Sequence, residues 1–401
     1  MSSIFDVIRT EEENLFFKTY ARYPIAVVRG KGSLLWDCDG KEYVDLLAGI
    51  AVTGLGHCNE ELAETMTAQA RKLIHVSNLF YQEEQLSLAR RLLSTAHFDK
   101  VFFCNSGAEA NEAAIKLARR YQQRVKNKDA YEVITFEGCF HGRTLATVAA
   151  SGQARFQDGF APMPEGFRQI AWGEPGTLES AVNDKTAAVL LELIQGEGGI
   201  RPVTREFVQA VARICREKDI LLMVDEVQTG LGRTGKWWAF QHFDIRPDVL
   251  TVAKALANGL PMGAMLAVNE VAHAFVFGSH ATTFGAGALV SAVAEKMLAI
   301  MERDKLAERA AKLGSWAIDR FRAISDKCPG AITEVRGMGL MIGIQLSFPG
   351  KELWEALLHK GFILNLTQER VLRLLPALTI SQGELERFAV VLEELLKGRE
   401  F

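Results

Sequence analysis

Short apolar runs punctuate the chain, and longer amphipathic stretches separate them. "VFFC" (101–104), "VITF" (133–136), "AAVLLELI" (187–194), "ILLMV" (220–224), "DVLTVA" (248–253) and "AMLAV" (264–268) are largely apolar at successive positions. Runs fit for burial on both faces predict strands covered by helices on each side of a mostly parallel sheet. Between them the period changes: Ala110, Ala113, Ala114, Leu117, Ala118 and Tyr121 recur at helical spacing. Strands and helices alternating in this way predict an α/β layer architecture.

The texture differs toward both ends. After about residue 305 a charged helix, "RDKLAERAAKLGSWAIDRFRAI", precedes "AITEVRGMGLMIGIQL", an alternating strand pair, and a last amphipathic helix near "ELERFAVVLEELLK". Near the start, "PIAVVRGKGSLLWDCDGKEYVDL" reads as a meander with a D-x-D-G turn. The expected division is a large unit over 56–305, a smaller α+β unit over 306–401, and a segment 1–55 that packs with the smaller unit.

Composition narrows the function classes. With 401 residues, 48% of them hydrophobic and 24% charged, the chain is an ordinary globular one with length for two or three domains. A net charge of -3 gives no electrostatic reason to expect nucleic acid or an anionic membrane as partner. "MSSIFDVIRTEEENLFF" lacks the uninterrupted apolar core of a signal peptide, and no stretch is long and apolar enough to span a bilayer. Six cysteines without a CxxC pair and eight histidines without an HExxH spacing predict reduced thiols, no metal site and a cytoplasmic protein.

Ligands of such sheets bind beyond the carboxyl ends of the strands. After "VFFC", Ser106 and Glu109 have the spacing of a capping box. Gly107 and Ala108 then form a first turn whose N–H groups suit a phosphate, or simply begin a helix. After "VITF", Phe140 offers a ring for stacking, and Arg143 a fork for a carboxylate or for a surface salt bridge. Asp225 closes a buried strand, facing a metal ion, a protonated ring nitrogen or a helix N-terminus. Lys254 ends another strand just before a turn rich in Gly and Pro. Either its ammonium snorkels to water, or it is a desolvated, reactive amine. "GLGRTGKW" (230–237) after "LLMVDE" has the outline of a P-loop beside a Walker B strand. Trp237 stands where the magnesium-holding hydroxyl belongs, which argues against a nucleotide hydrolase. A helix N-terminus for phosphate, a ring to stack, an aspartate for a pyridine nitrogen and a lysine for an aldehyde together describe pyridoxal 5'-phosphate.

"FCNSGAEANEAAIKLAR", "FHGRT", "IQGEGG", "DEVQTGLGRTG", "DVLTVAKALANGLPMGAML", "TTFG" and "VRGMGLMIG" resemble the class III (fold type I) pyridoxal-phosphate aminotransferases nearly end to end. The resemblance implies that Lys254 is the Schiff-base lysine and Asp225 the partner of the pyridine nitrogen. It has Gln228 reaching the phenolic oxygen, with Val227 on the ring face opposite Phe140. Ser106, Gly107 and Ala108 would hold the phosphate, joined by Thr283 from a second subunit, so that a homodimer shares its sites. Thr282 would contact substrate, and Arg143 would grip a substrate carboxylate with help from Tyr20. Glu197 and Arg373 would form a switchable pair that exposes the arginine only to a second carboxylate. The implied activity is transamination of N2-acetylornithine with 2-oxoglutarate, in arginine biosynthesis. Succinylornithine, ornithine and 4-aminobutyrate are the alternative donors, and a glutamate-semialdehyde aminomutase is a rival activity. Three departures stand out: "TFGAGAL" (283–289) for the family's "TFGGNPL", Leu193 for a proline before "IQGE", and "PAL" (376–378) for "PPL".

Overall fold

The computed structural model describes residues 3–398. Seven strands form the main sheet: β1 (Lys100–Cys104), β2 (Glu132–Phe136), β3 (Phe167–Ile170), β4 (Thr186–Glu192), β5 (Leu221–Asp225), β6 (Val249–Val252) and β7 (Gly263–Ala267). Their order is β1-β7-β6-β5-β4-β2-β3, and β7 alone runs against the others. All six apolar runs are strands of this sheet, and β4 and β5 are buried at every position. The expected α/β class with a mostly parallel sheet therefore holds. β3 is the strand that periodicity did not reveal. It is a four-residue edge whose middle residues, Arg168 and Gln169, are exposed. The run 187–194 also stops early, because Leu193 turns the chain into a short antiparallel pair, Ile194–Gln195 with Arg201–Pro202.

Helices cover the sheet. The helix Gly107–Arg120 lays Ala110, Ala113, Ala114, Leu117 and Ala118 inward, toward β6 and β7. Small side chains along that face let the helix axis lie close to the sheet. On another side, Phe207, Val208, Val211, Ile214 and Cys215 make the buried stripe of the helix Arg205–Glu217. Each such side chain contributes on the order of 1.5–3 kcal/mol on full burial.

The two ends of the chain meet. The meander Val27–Lys31, Leu34–Asp37 and Glu42–Asp45 is completed by Phe362–Ile363, which pairs in parallel with its third strand. Its turn is built by Asp37, whose Oδ1 accepts the N–H groups of Asp39 (3.0 Å) and Lys41 (2.9 Å). A separate antiparallel sheet, Ile332–Met338, Met341–Leu346, Val371–Leu374 and Asn365–Thr367, backs onto the helix Leu306–Lys327. The P-loop-like stretch is a joint to this sheet and its flank. Arg233, 2% exposed, donates to the carbonyls of Leu340 (3.0 Å) and Pro376 (2.6 Å).

The "TFGAGAL" departure has a backbone cost. Ala286 holds φ +56°, and Gly287 begins the helix Ala288–Arg303 with no side chain to cap it. A left-handed alanine is strained by roughly 1–2 kcal/mol.

Candidate active site

The carboxyl ends of five strands open on one cavity of about 400 Å³. β1 delivers the turn into the helix Gly107–Arg120. Ser106, in extended backbone, caps that helix: its Oγ accepts from the Glu109 N–H (3.1 Å) and donates to Glu109 Oε2 (3.1 Å). Glu109 takes its reciprocal bond from the Asn105 N–H (2.7 Å) rather than from the cap itself. The first-turn N–H groups of Gly107 and Ala108 have no intrahelical acceptor, and both residues line the cavity. Position 107 must lack a side chain, since a Cβ there would sit 2.7 Å from Val227 Cγ1.

β5 ends on Asp225, 4% exposed, and a polar network fixes it. Asp225 Oδ2 accepts from Asn111 Nδ2 and His141 Nδ1, both at 2.8 Å, and Oδ1 accepts from the Val227 N–H at 2.9 Å. Asn111 is itself oriented by the Thr251 hydroxyl (2.7 Å). Burial works against a charge on His141, but neighbouring Cys139 and Asp225 hold its pKa well above the ordinary histidine value. The pair makes a buried, charge-assisted brace that keeps the carboxylate in place.

Next to Asp225 in the sheet, and in register with it, stands Glu192 at the end of β4. Its Oε2 accepts from the Phe140 N–H (3.0 Å) and its Oε1 from the Gly196 N–H (3.2 Å). Burial, and then the charge of Asp225, push this carboxyl up to about 7. Glu192 thereby ties the Phe140 segment and the 196–200 loop to the floor of the site. Gln228 completes the wall with Oε1 buried and unpartnered, and a Cβ on Gly196 would strike that oxygen at 2.3 Å.

Lys254 sits in the ten-residue connection between β6 and β7, short because β7 is antiparallel. Its φ is +46°, a strained setting for a side chain. The side chain is half-buried and lines the cavity. Its amine has no hydrogen-bond or salt-bridge partner among the described residues. Burial, and to a lesser degree Arg373, draw its pKa down to about 8, while Glu197, Asp225 and Glu192 resist. A lowered pKa and no partner among the described residues agree with the desolvated amine better than with the snorkelling one.

Two arginines serve the site differently. Arg143 lines the cavity, is exposed and makes no ion pair among the described residues; its guanidinium lies over the rings of Phe156 (4.1 Å) and Phe140 (5.5 Å). Arg373, 1% exposed on the small sheet, donates to Glu197 Oε1 at 2.5 Å and to the Gly196 carbonyl at 3.2 Å. Burial raises the Glu197 pKa, but Arg373 and then Lys254 outweigh it and hold the carboxyl below its usual range.

Of the residues singled out in the sequence, Ser106, Gly107, Ala108, Phe140, Arg143, Glu197, Asp225, Val227, Gln228 and Lys254 line one cavity, and Arg373 touches it through Glu197. Three lie elsewhere. Thr282 Oγ1 accepts from Asn105 Nδ2 (3.2 Å) without lining the cavity, and Thr283 is exposed outside it. Tyr20 is 74% exposed on the N-terminal arm, with the Arg22 guanidinium 5.5 Å from its ring. Reading the sequence missed Glu192, His141 and Asn111. The available signals were a carboxylate inside an apolar run, a histidine within "FHGRT" and an asparagine on an alanine-rich helix face. Among those described residues there is no metal-holding cluster of His, Cys, Asp or Glu, and no helix long and apolar enough to cross a membrane.

A braced carboxylate, free first-turn amides and an amine without a partner among the described residues, around one cavity, fit a phosphorylated pyridine aldehyde. A model of the class-III aminotransferases matches residues 16–396, and the chain belongs to that family of pyridoxal-phosphate-dependent transferases. Among its relatives, the acetylornithine aminotransferase of Methanocaldococcus jannaschii is 41% identical, and 96% of each chain is covered. The acetylornithine aminotransferase 1 of Bordetella pertussis is 45% identical, covering 94% of this chain and 96% of that one. Of solved structures, the ornithine aminotransferase of Toxoplasma gondii ME49 superposes with a TM-score of 0.95 at 31% identity, covering 99% of this chain and 96% of that one.

Proposed function

We propose that the protein transfers the side-chain amino group of N2-acetylornithine to 2-oxoglutarate, releasing N-acetylglutamate 5-semialdehyde and glutamate, as a step of arginine biosynthesis. One observation carries this reading: a buried arginine, Arg373, is neutralised by Glu197 at the edge of the cavity that holds Lys254, while Arg143 stands unpaired in the same cavity. The 40–45% identity to relatives named as acetylornithine aminotransferases supports the donor. Bound pyridoxal phosphate supplies an aldehyde that takes up the amine and a ring that absorbs electrons when the adjacent carbon loses its proton.

The residues divide the remaining work. The first turn at Gly107 and Ala108, with Ser106, holds phosphate oxygens. Phe140 and Val227 would confine the ring, and Gln228 would offer its amide to the ring's oxygen. Asp225, oriented by His141 and Asn111, would face the ring nitrogen and favour a proton there. The Lys254 amine, its pKa drawn down to about 8 by burial, would carry a proton from the carbon that loses it to the carbon that receives it. General acid–base help of this kind is worth ~10²–10⁴ in rate. Arg143 holds the donor's carboxylate while Glu197 covers Arg373. When Glu197 swings away, Arg373 takes the α-carboxylate of glutamate and Arg143 its γ-carboxylate.

The reading extends to a homodimer in the cytoplasm with small and large domains divided as the sequence suggests. An exposed Thr283 and an N-terminal helix, Ile4–Leu15, that buries none of its residues in its own chain support a second copy. Thr283, Thr282 and Tyr20 would then act on the shared site. Six free thiols suit a reducing compartment.

The test is a half-reaction. Cofactor-loaded enzyme without an oxo-acid is mixed separately with N-acetylornithine, N-succinylornithine, ornithine and 4-aminobutyrate, and the absorbance change from the pyridoxal to the pyridoxamine form is followed. Fast conversion with N-acetylornithine is the expected result. Conversion only with another amine would reassign the donor.

A further inference from the structure

The loop that carries Glu197 is held by more than its carboxylate. The Arg336 guanidinium donates through Nε to the Ile200 carbonyl (2.7 Å) and through Nη2 to the Gly199 carbonyl (2.7 Å). Arg336 is itself fixed by Glu334 (2.5 Å) and Gln345 (3.0 Å), on its own strand and the neighbouring one. The Glu197 carbonyl accepts both Gln368 Nε2 (2.7 Å) and Thr367 Oγ1 (3.1 Å). From the other side, Glu192 holds the Gly196 N–H. The backbone is thus pinned at 196, 197, 199 and 200, whereas the Glu197 side chain has one tie, to Arg373.

From this geometry we infer that Arg336 and Gln368 are positioning residues for substrate discrimination: they clamp the 196–200 backbone to the small sheet, so that the Glu197–Arg373 pair opens by side-chain rotation alone. The inference rests on the dual-substrate reading above and adds what keeps the switch closed by default. A loop fixed on both sides returns the Glu197 carboxylate to Arg373 after every turnover. With the clamp loosened, the carboxylate samples other positions and Arg373 stands bare for a larger share of the time. A bare Arg373 attracts dicarboxylates and also captures the carboxylate of the N-acylated donor in the wrong place. Loosening therefore favours glutamate and penalises the donor amine, an opposite movement that general loss of folding does not produce.

Arg336→Gln and Gln368→Ala test this in the cofactor-loaded enzyme. The first readout needs no turnover: calorimetric binding of glutarate, a dicarboxylate with neither an amine nor a carbonyl to react. The second is the ratio of half-reaction rates with glutamate and with N-acetylornithine. Loss of a charge-assisted hydrogen bond predicts that Arg336→Gln tightens glutarate and shifts the ratio toward glutamate by about tenfold. Gln368→Ala, which leaves Thr367 on the same carbonyl, shifts both by about threefold. Should Arg336→Gln fail to fold, the exposed Gln368 position decides alone. Ratios within about a factor of two of wild type, or a parallel fall with both donors, would overturn the inference. Failure of the underlying reading shows separately, in wild-type enzyme that converts with neither donor, and it takes this inference down with it.

Discussion

The segment around Arg143 and the strand around Arg373 place the same chemical group at one site in two opposite states. Arg143 is exposed, carries no counter-charge among the described residues, and rests against Phe140 and Phe156. It can receive a carboxylate without first breaking a bond. Arg373 is buried and already paired, so a carboxylate gains it only by displacing Glu197. A buried charge left unpaired costs several kcal/mol, which makes the displacement selective: only a ligand with its own carboxylate in the right place repays it. On the proposed reading, one ready arginine and one guarded arginine would let a single cavity accept a monocarboxylate amine and a dicarboxylate in turn.

Removing the ready arginine should do the most damage. Arg143→Ala is expected to slow both half-reactions by about 10²–10³-fold, because a bidentate grip is lost in each. An effect confined to one donor would dissolve the contrast. Removing the guarded one should be one-sided. Arg373→Gln is expected to cut the glutamate half-reaction about 10²-fold and to spare N-acetylornithine within about threefold, measured by the same absorbance change.

A smaller effect tests the floor that both regions share. Glu192 ionises near pH 7 in the folded chain against 4.5 for the free group, because of burial and then Asp225. Between those values the native state keeps a proton that the unfolded state has released, so stability falls as pH rises through that window. Glu192→Gln should remove this group's share of the decline, up to about 1.4 kcal/mol per pH unit, in urea titrations across the window, leaving that of Glu226, which burial also pushes up to about 7. An unchanged slope would assign the proton to another group. The smallest effect lies away from both arginines: Ala286→Gly should raise the unfolding free energy by about 1 kcal/mol by relieving a left-handed alanine. A lower Tm would refute that account.

What the sequence made legible follows from range. Strands that are apolar on both faces announce themselves locally, and so does the Ser106 cap, because its partner Glu109 is three residues away. Glu192 was hidden for the opposite reason. It sits inside "AAVLLELI" and its partner Phe140 is 52 positions distant, so only the folded sheet brings them together. His141 and Asp225, 84 positions apart, were similarly invisible as a pair. β3 escaped because an exposed four-residue edge has too little pattern to read. Tyr20 shows the limit of a motif: its resemblance named a role, while its own chain leaves it outside the cavity.

The pairing of Glu42–Asp45 with Phe362–Ile363 sets a timetable for the nascent chain. Lys41 and His359, which bond across the same join, are separated by 318 positions. At ribosomal speeds of about 5–20 residues per second, the early meander waits roughly 15–60 s for the strand that completes it. The seven-stranded sheet, whose strands all emerge earlier, can form while that edge still stands open. Arg373 is made later still. The newborn chain therefore carries the Lys254 amine before the guarded arginine, the last of these cavity groups to arrive.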